Sequence, residues 1–328
     1  MELQNIEDVI LMDNQQENRV ITNIENNRNF IKANTVEMNS YDLDHKHIIP
    51  VFAKDNEPVI SHSEFIQSVE RIISQEFGFH SKPVIRVSHP IKGRIPEARR
   101  KPSKELLPHE KTLYYERMMF ICEIPSITET VNGNKLSLTV GGVKAFNQDN
   151  LYSRKGSDEH FKFFIGFKNQ VCTNLCVSTD GYKGDMKVKS LEQLNNEVYD
   201  IVKSYNQDKH LSMMSDLSNT KLTESQFAHL IGKTKLYNYV NKEFKSSLPN
   251  FLMNDSQVNT VARDYYQDDS FSRENDGSIN LWKLYNLFTG ANKSSYIDTF
   301  LDRSVNALDF SSNIHQMLTE NKPSWFIN

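Results

Sequence analysis

Cys172 and Cys176 carry the side chains best suited to a soft metal ion, and Cys122 is the only other thiol in the chain. On a strand, residues four apart share a face but stand roughly 13 Å apart, at about 3.3 Å per residue. That is too far for one zinc ion, and there is no second cysteine pair. The three read as buried structural thiols, and no metal set is assigned. Asp158-Glu159-His160 offers two carboxylates and an imidazole in a row. Adjacent strand side chains point to opposite faces, so the trio does not converge and reads as a solvated loop entering Phe161. Asp264-Tyr265-Tyr266-Gln267-Asp268-Asp269 has no His or Lys beside its acids and reads as a loop. Gly141-Gly142 is followed by neither Gly-Lys-Ser/Thr nor the start of a helix, which excludes a phosphate loop. No nucleophile elbow appears. Nothing in this inventory supports an enzyme, and no cofactor is implied.

The remaining chemical signal is positive charge. Residues 80–111 hold nine bases against three acids, whereas residues 1–45 hold nine acids against three bases, within a chain of formal net charge −4. Opposite local charges of this size either pair with each other or mark a tail and a binding face. Arg94, Arg99, Arg100, Lys101 and Lys104 form a basic loop beside Arg86, His89 and Lys92. Such a loop can track phosphates, and Tyr114 or Tyr115 can stack on bases at a sheet edge. The competing reading is a solvated basic loop neutralised by the acidic leader or by a partner protein.

Positioning these groups needs a sheet. Residues 84–88 read as a strand, and His89-Pro90-Ile91-Lys92-Gly93-Arg94-Ile95-Pro96 must leave the sheet, because its prolines lack a donor. Residues 97–104 continue as a polar loop or short helix. Residues 112–124 are apolar on both faces, as in a covered central strand. Asn132-Gly133-Asn134 is a hairpin turn. Leu136, Leu138 and Val140 alternate with Ser137 and Thr139 as a half-buried strand, and Gly141-Gly142 marks a bulge or close backbone contact. Phe161, Phe163, Ile165 and Phe167 alternate again, Val171, Leu175 and Val177 return, and residues 180–185 end the sheet.

Helical patterns flank this block. Phe65, Ile66, Val69, Ile72, Ile73 and Phe77 predict a helix over residues 61–78, capped by Ser61 or Ser63 and ended by Gly78. Residues 191–205 form a second apolar stripe. Thr223 and Gln226 make a capping-box pattern. Helices are also expected at 280–288, ended by Gly290, and at 296–308 and 310–318. Residues 47–52 read as a short strand and 54–58 as a turn. The apolar tail Pro323-Ser324-Trp325-Phe326-Ile327 must dock within the chain or on a partner.

The composition is 24% charged and 38% hydrophobic, with no apolar run long enough for a membrane helix. The acidic N-terminus lacks the pattern of a secretory signal. An odd number of cysteines in a long chain points to a reducing, cytoplasmic setting.

Several long motifs carry a resemblance. They are His47-Ile48-Ile49-Pro50-Val51-Phe52, Ser88-His89-Pro90-Ile91-Lys92-Gly93-Arg94-Ile95-Pro96-Glu97-Ala98 and Lys111-Thr112-Leu113-Tyr114-Tyr115-Glu116-Arg117, with residues 136–150 and 161–181. Together they resemble an uncharacterised family carried on phages, plasmids and conjugative elements. Leu281-Trp282-Lys283-Leu284-Tyr285-Asn286 is similar to a helix of the broader phage/plasmid-like family of unknown function. The resemblance spans residues 45–328, leaves the leader outside, and implies a context without implying catalytic residues. At the level of layout the chain also resembles single-strand annealing proteins of phage recombination, whose strong basicity it lacks.

The expected architecture is α+β: an antiparallel meander of four to five strands packed by helices, then a helical C-terminal subdomain. Residues 1–45 form an acidic, largely mobile leader, 46–210 the α+β core, and 211–328 the helical part. The expected function is non-enzymatic binding of single-stranded nucleic acid, DNA first, in recombination or maintenance of a mobile element. The alternative is a protein-interaction module that inhibits or modulates a host or defence factor. A metal-dependent nuclease would need clustered carboxylates that cannot be placed. No membrane partner is expected, and a homo-oligomer is compatible with the sequence.

Overall fold

The computed structural model describes residues 29–46, 59–149 and 158–327. It opens with a short strand, β1 (Val36–Met38), and helices α1 (Ser40–Lys46) and α2 (His62–Phe77). Strands β2 (Val84–Val87), β3 (Pro90–Arg94), β4 (Lys111–Tyr115), β5 (Arg117–Val131), β6 (Asn134–Ala145), β7 (Glu159–Asn169), β8 (Leu175–Cys176) and β9 (Tyr182–Val188) follow. Then come α3 (Leu191–Ser204), α4 (Gln207–Ser218), β10 (Lys221–Leu222), α5 (Glu224–Leu236), α6 (Lys242–Ser246) and α7 (Asp255–Gln267). The chain closes with β11 (Ile279–Asn280), α8 (Leu281–Asn292) and α9 (Ile297–Thr319).

The main sheet has seven strands in the order β1-β2-β5-β6-β7, with β8 and β9 both pairing with the far edge of β7, every pairing antiparallel. The β5–β6 hairpin closes through Asn132 (φ 47°) and Gly133 (φ 76°), the two left-handed positions that an Asn-Gly turn accommodates. Strand periodicity then divides β5 between two cores. Met118, Phe120 and Cys122 face the side covered by α2, and Met119 and Ile121 face Phe300 and Leu301 of α9. Helix α2 is set by a complete capping box between Ser61 and Glu64, and Gly78 caps its end at φ 77°. Its Phe65 ring packs edge-on to Phe120 and Phe161, with centroids 5.3 and 4.9 Å away. Gly141 and Gly142 of β6 are close-contact positions in regular register. A Cβ on Gly142 would stand 2.4 Å from Phe65 Cζ. The sheet's irregularities lie instead between Ile124 and Thr128 of β5 and between Phe161 and Phe163 of β7.

The α+β class and the antiparallel sheet agree with the sequence reading, while several details differ for reasons of packing. The end of the expected leader belongs to the fold: β1 pairs with β2, and Phe30 and Ile31 are buried against α9. Residues 1–28 and the expected strand and turn at 47–58 lie outside the described residues. The stretch 112–124 is two strands, because Glu116 breaks it between β4 and β5. The strand at 136–140 is covered on both faces, with Ser137 and Thr139 as buried as the leucines. Residues 182–188 return as β9 and do not end the sheet. Residues 264–267 belong to α7, whose Tyr265 stacks on Phe227 at 3.9 Å. Helix α8 continues past Gly290, and residues 297–319 form one 23-residue helix in place of two.

Helix α8 is the hub of the C-terminal part. Trp282, Leu284, Tyr285, Leu287 and Phe288 are all buried, and Trp282 Nε1 donates to Asn134 Oδ1 at the β5–β6 turn (2.8 Å). The apolar tail docks within the chain: Phe326 packs on Phe310 (4.9 Å) and Tyr237 (5.9 Å). A buried ion cluster pins the end of β6. Lys144 donates to Asp149 (2.6 Å) and Glu159 (2.8 Å), all three side chains being almost wholly buried. Glu159 is therefore a core residue. Its neighbours diverge, His160 to Asp185 (2.7 Å) and Asp158 to Lys189 (3.8 Å). No helix among the described residues is long and apolar enough to cross a membrane.

Candidate nucleic-acid interface

The basic loop is the tip of a two-stranded arm. Strands β3 and β4 pair with each other, Pro90 opposite Tyr115 and Arg94 opposite Lys111, and take no part in the main sheet. Between them run three single-turn 3-10 segments, Pro96–Ala98, Ser103–Glu105 and Pro108–Glu110, spaced by the prolines that forbid a longer helix. The arm is anchored at its root. Ser88 N–H donates to Arg117 O (2.8 Å), Phe146 N–H to Glu116 O (2.9 Å), and His62 Nε2 to Tyr115 O (2.8 Å).

The expected contact residues divide into two groups. Arg86 is half-buried in the main sheet. Its guanidinium donates to Thr35 Oγ1 (3.1 Å) and Thr35 O (3.2 Å) and faces Glu37 (3.4 Å), so it clasps β1 onto β2. Burial lowers its pKa, and Glu37 opposes that shift. Arg94 folds the tip by donating to Arg99 O, Lys101 O and Ser103 Oγ, and Lys101 pairs with buried Glu110. Tyr115 is buried at the root. Arg94, Lys101 and Tyr115 thus build the arm, and Arg86 builds the edge of the main sheet beside it. Lys92, Arg99, Arg100 and Lys104 are exposed, and their side chains have no ion pair or hydrogen bond among the described residues. Lys111, opposite Arg94, is exposed in the same way. Tyr114 is half-buried on β4 across from Ile91. His89 is exposed and contacts Asn34 Oδ1 at 2.5 Å.

A recess of about 240 Å³ opens where the arm meets the sheet. Its walls include Asn34, His89, Ile91, Glu116, Arg117 and Tyr296. Tyr296 is 71% exposed, so its side chain offers a stacking surface. Arg117 is held by Glu116 (2.7 Å) and Asp298 (3.5 Å). An exposed phenol, an imidazole, an amide and a guanidinium around a small hollow match the stacking and hydrogen-bonding needs of one planar base. Asn34, Arg117 and Tyr296 escaped the sequence reading because they come from three distant segments.

A family model described as "Domain of unknown function, B. Theta Gene description" (DUF3871) matches residues 14–327. The match takes in most of the leader that the sequence resemblance left outside. No curated protein and no solved structure matches the chain.

Proposed function

The chain belongs to the DUF3871 family, whose description assigns no activity, so we propose from the arm alone that it binds single-stranded nucleic acid without catalysing a reaction. The carrying observation is a set of five exposed cations on the β3–β4 arm whose side chains have no ion pair or hydrogen bond among the described residues, Lys92, Arg99, Arg100, Lys104 and Lys111, beside a recess that presents Tyr296. The cations track the phosphates, and the recess takes one unstacked base. Single strands are favoured over duplex because a stacked base pair cannot enter the recess. The resemblance of its long motifs to phage- and plasmid-borne proteins extends the proposal to recombination or maintenance of a mobile element.

Fluorescence anisotropy with a labelled single-stranded oligonucleotide, at several salt concentrations and beside a duplex control, tests the reading. Arg99→Ala with Arg100→Ala is expected to weaken binding and to flatten the log–log salt dependence by roughly 0.7 for each lost contact. Tyr296→Ala is expected to weaken binding by about 1–3 kcal/mol with the salt slope unchanged. An unchanged slope in the double variant removes the arm from the reading. Absence of binding at low salt removes the reading itself. A host protein that then co-purifies would favour the interaction-module alternative, although the docked tail is no longer available to serve it.

A further inference from the structure

Cys122, Glu70 and His80 are remote in sequence, yet one ligand atom from each lies within 4.8 Å of the other two. We propose that these three residues bind a borderline-soft divalent cation, zinc first. The site sits at the Val84 end of β2, whereas the arm leaves from the Val87 end, so it is separate from the nucleic-acid interface.

Three elements build it. Cys122 is buried on β5, on the face that α2 covers. Glu70 is a half-buried residue of α2, one position beyond Val69, which packs in the core. Gly78 turns the chain out of α2, and the following segment is fastened to β5 by two hydrogen bonds. Ser81 N–H donates to Glu123 O (2.8 Å), and Glu123 N–H donates to Ser81 Oγ (2.9 Å). That clasp brings His80 beside Cys122.

The hydrogen bonds around His80 leave one nitrogen for a metal. Nδ1 lies 2.8 Å from Ser81 O, and a carbonyl only accepts, so Nδ1 carries the proton. A backbone carbonyl on the second ring nitrogen is the usual outer partner of a metal-bound histidine. Nε2 lies 3.0 Å from Ser74 Oγ, whose single proton goes to Glu70 O at 2.6 Å. In this tautomer Nε2 holds the lone pair, and its one hydrogen-bond neighbour among the described residues is the exposed Ser74 hydroxyl, which has Glu70 O as its other acceptor. The Glu70 carboxylate likewise has no hydrogen bond or ion pair among the described residues other than the field of His80.

The donor set selects the ion. A thiolate with an imidazole and a carboxylate suits zinc, and the sulfur disfavours magnesium and calcium. One thiolate and one carboxylate neutralise a divalent charge at the rim of the core. Binding breaks the Cys122 S–H bond. The proton leaves to solvent, and the bonding pair stays on sulfur as the donor pair. Tetrahedral zinc sets its ligand atoms roughly 3.5 Å apart. The half-exposed Glu70 and His80 side chains close the remaining distance, exposed Ser74 turns aside, and a fourth position is left for water.

The test uses the full chain, reduced and stripped with a chelator, titrated with cobalt(II) in the absorption spectrometer. One cobalt per chain is expected, with a thiolate-to-metal charge-transfer band that zinc abolishes by displacement. Cys122→Ser is expected to lose the band. His80→Gln, at a half-exposed position, is expected to weaken cobalt binding roughly tenfold or more while far-ultraviolet dichroism stays that of the parent. If Cys122→Ser does not fold, His80→Gln decides. No charge-transfer band with excess cobalt overturns the site. So does a band of undiminished affinity in His80→Gln, or one that survives in folded Cys122→Ser.

Discussion

His210 shows how a single buried side chain sets a response to acid. It is enclosed by Phe167 (5.6 Å) and by Tyr205, whose hydroxyl lies 2.8 Å from Nδ1. Burial lowers its pKa from 6.5 to about 4, and Asp180 opposes this weakly. Between those values the unfolded chain holds the extra proton. Stability therefore rises with pH across the window and is lost as pH falls from 6.5 toward 4. The full loss is about 3 kcal/mol. Urea midpoints measured across that window should fall toward acid, and more gently in His210→Gln. Equal slopes in the two proteins would remove His210 as the cause. Lys144 is the opposite case, a buried charge kept in place by two carboxylates, and its sequence neighbourhood announced none of this. The residues legible beforehand were those whose role is local: Ser61, Thr223 and Gln226 as caps, and Asn132-Gly133 as a turn.

Among elements, α2 and the sheet depend on contact at a single glycine. Gly142 lies against Phe65 at 2.4 Å and Lys162 O at 2.8 Å from where its Cβ would be, whereas Gly232 in α5 has nothing within 4 Å. Gly142→Ala should therefore destabilise by roughly 1–3 kcal/mol, because the Phe65 ring has Phe120 and Phe161 behind it. Gly232→Ala should stabilise by about 1 kcal/mol, since helix propensity is the only thing that changes. Chemical denaturation of both variants checks the pair, and the same sign for both would refute the packing account. The Gly141-Gly142 pair was readable as a close contact, but not which ring approaches it. The basic stretch was readable as an excursion from the sheet. That it pairs with residues 111–115, and that Arg94 and Lys101 serve the arm's own fold, follows from register.

At the scale of the whole molecule, the larger of the two apolar cores runs from Leu43 to Ile327 and joins the sheet to the C-terminal helices. The tail completes it. Phe326 is wholly buried and Ile327 is 3% exposed. Removing residues 324–328 should cost roughly 3–6 kcal/mol, from two buried side chains at about 1.5–3 kcal/mol each. A thermal midpoint unchanged by the truncation would show that the tail contributes nothing to this core. The two candidate sites occupy opposite ends of β2, so a defect in metal binding and a defect in nucleic-acid binding are separable by variant.

Periodicity, capping residues and turn chemistry act over a few positions. The sequence by itself therefore determined the α+β class, the antiparallel hairpins, the α2 boundaries and the existence of a basic excursion. Tertiary structure decided which charges remain free, because Glu37, Glu110 and Thr35 neutralise or bind some of them from other segments. It also decided that Tyr296 stands beside the arm and that Cys122 meets Glu70 and His80. Those meetings depend on how helices settle on a sheet, and no short-range pattern encodes the distance between residues so far apart along the chain.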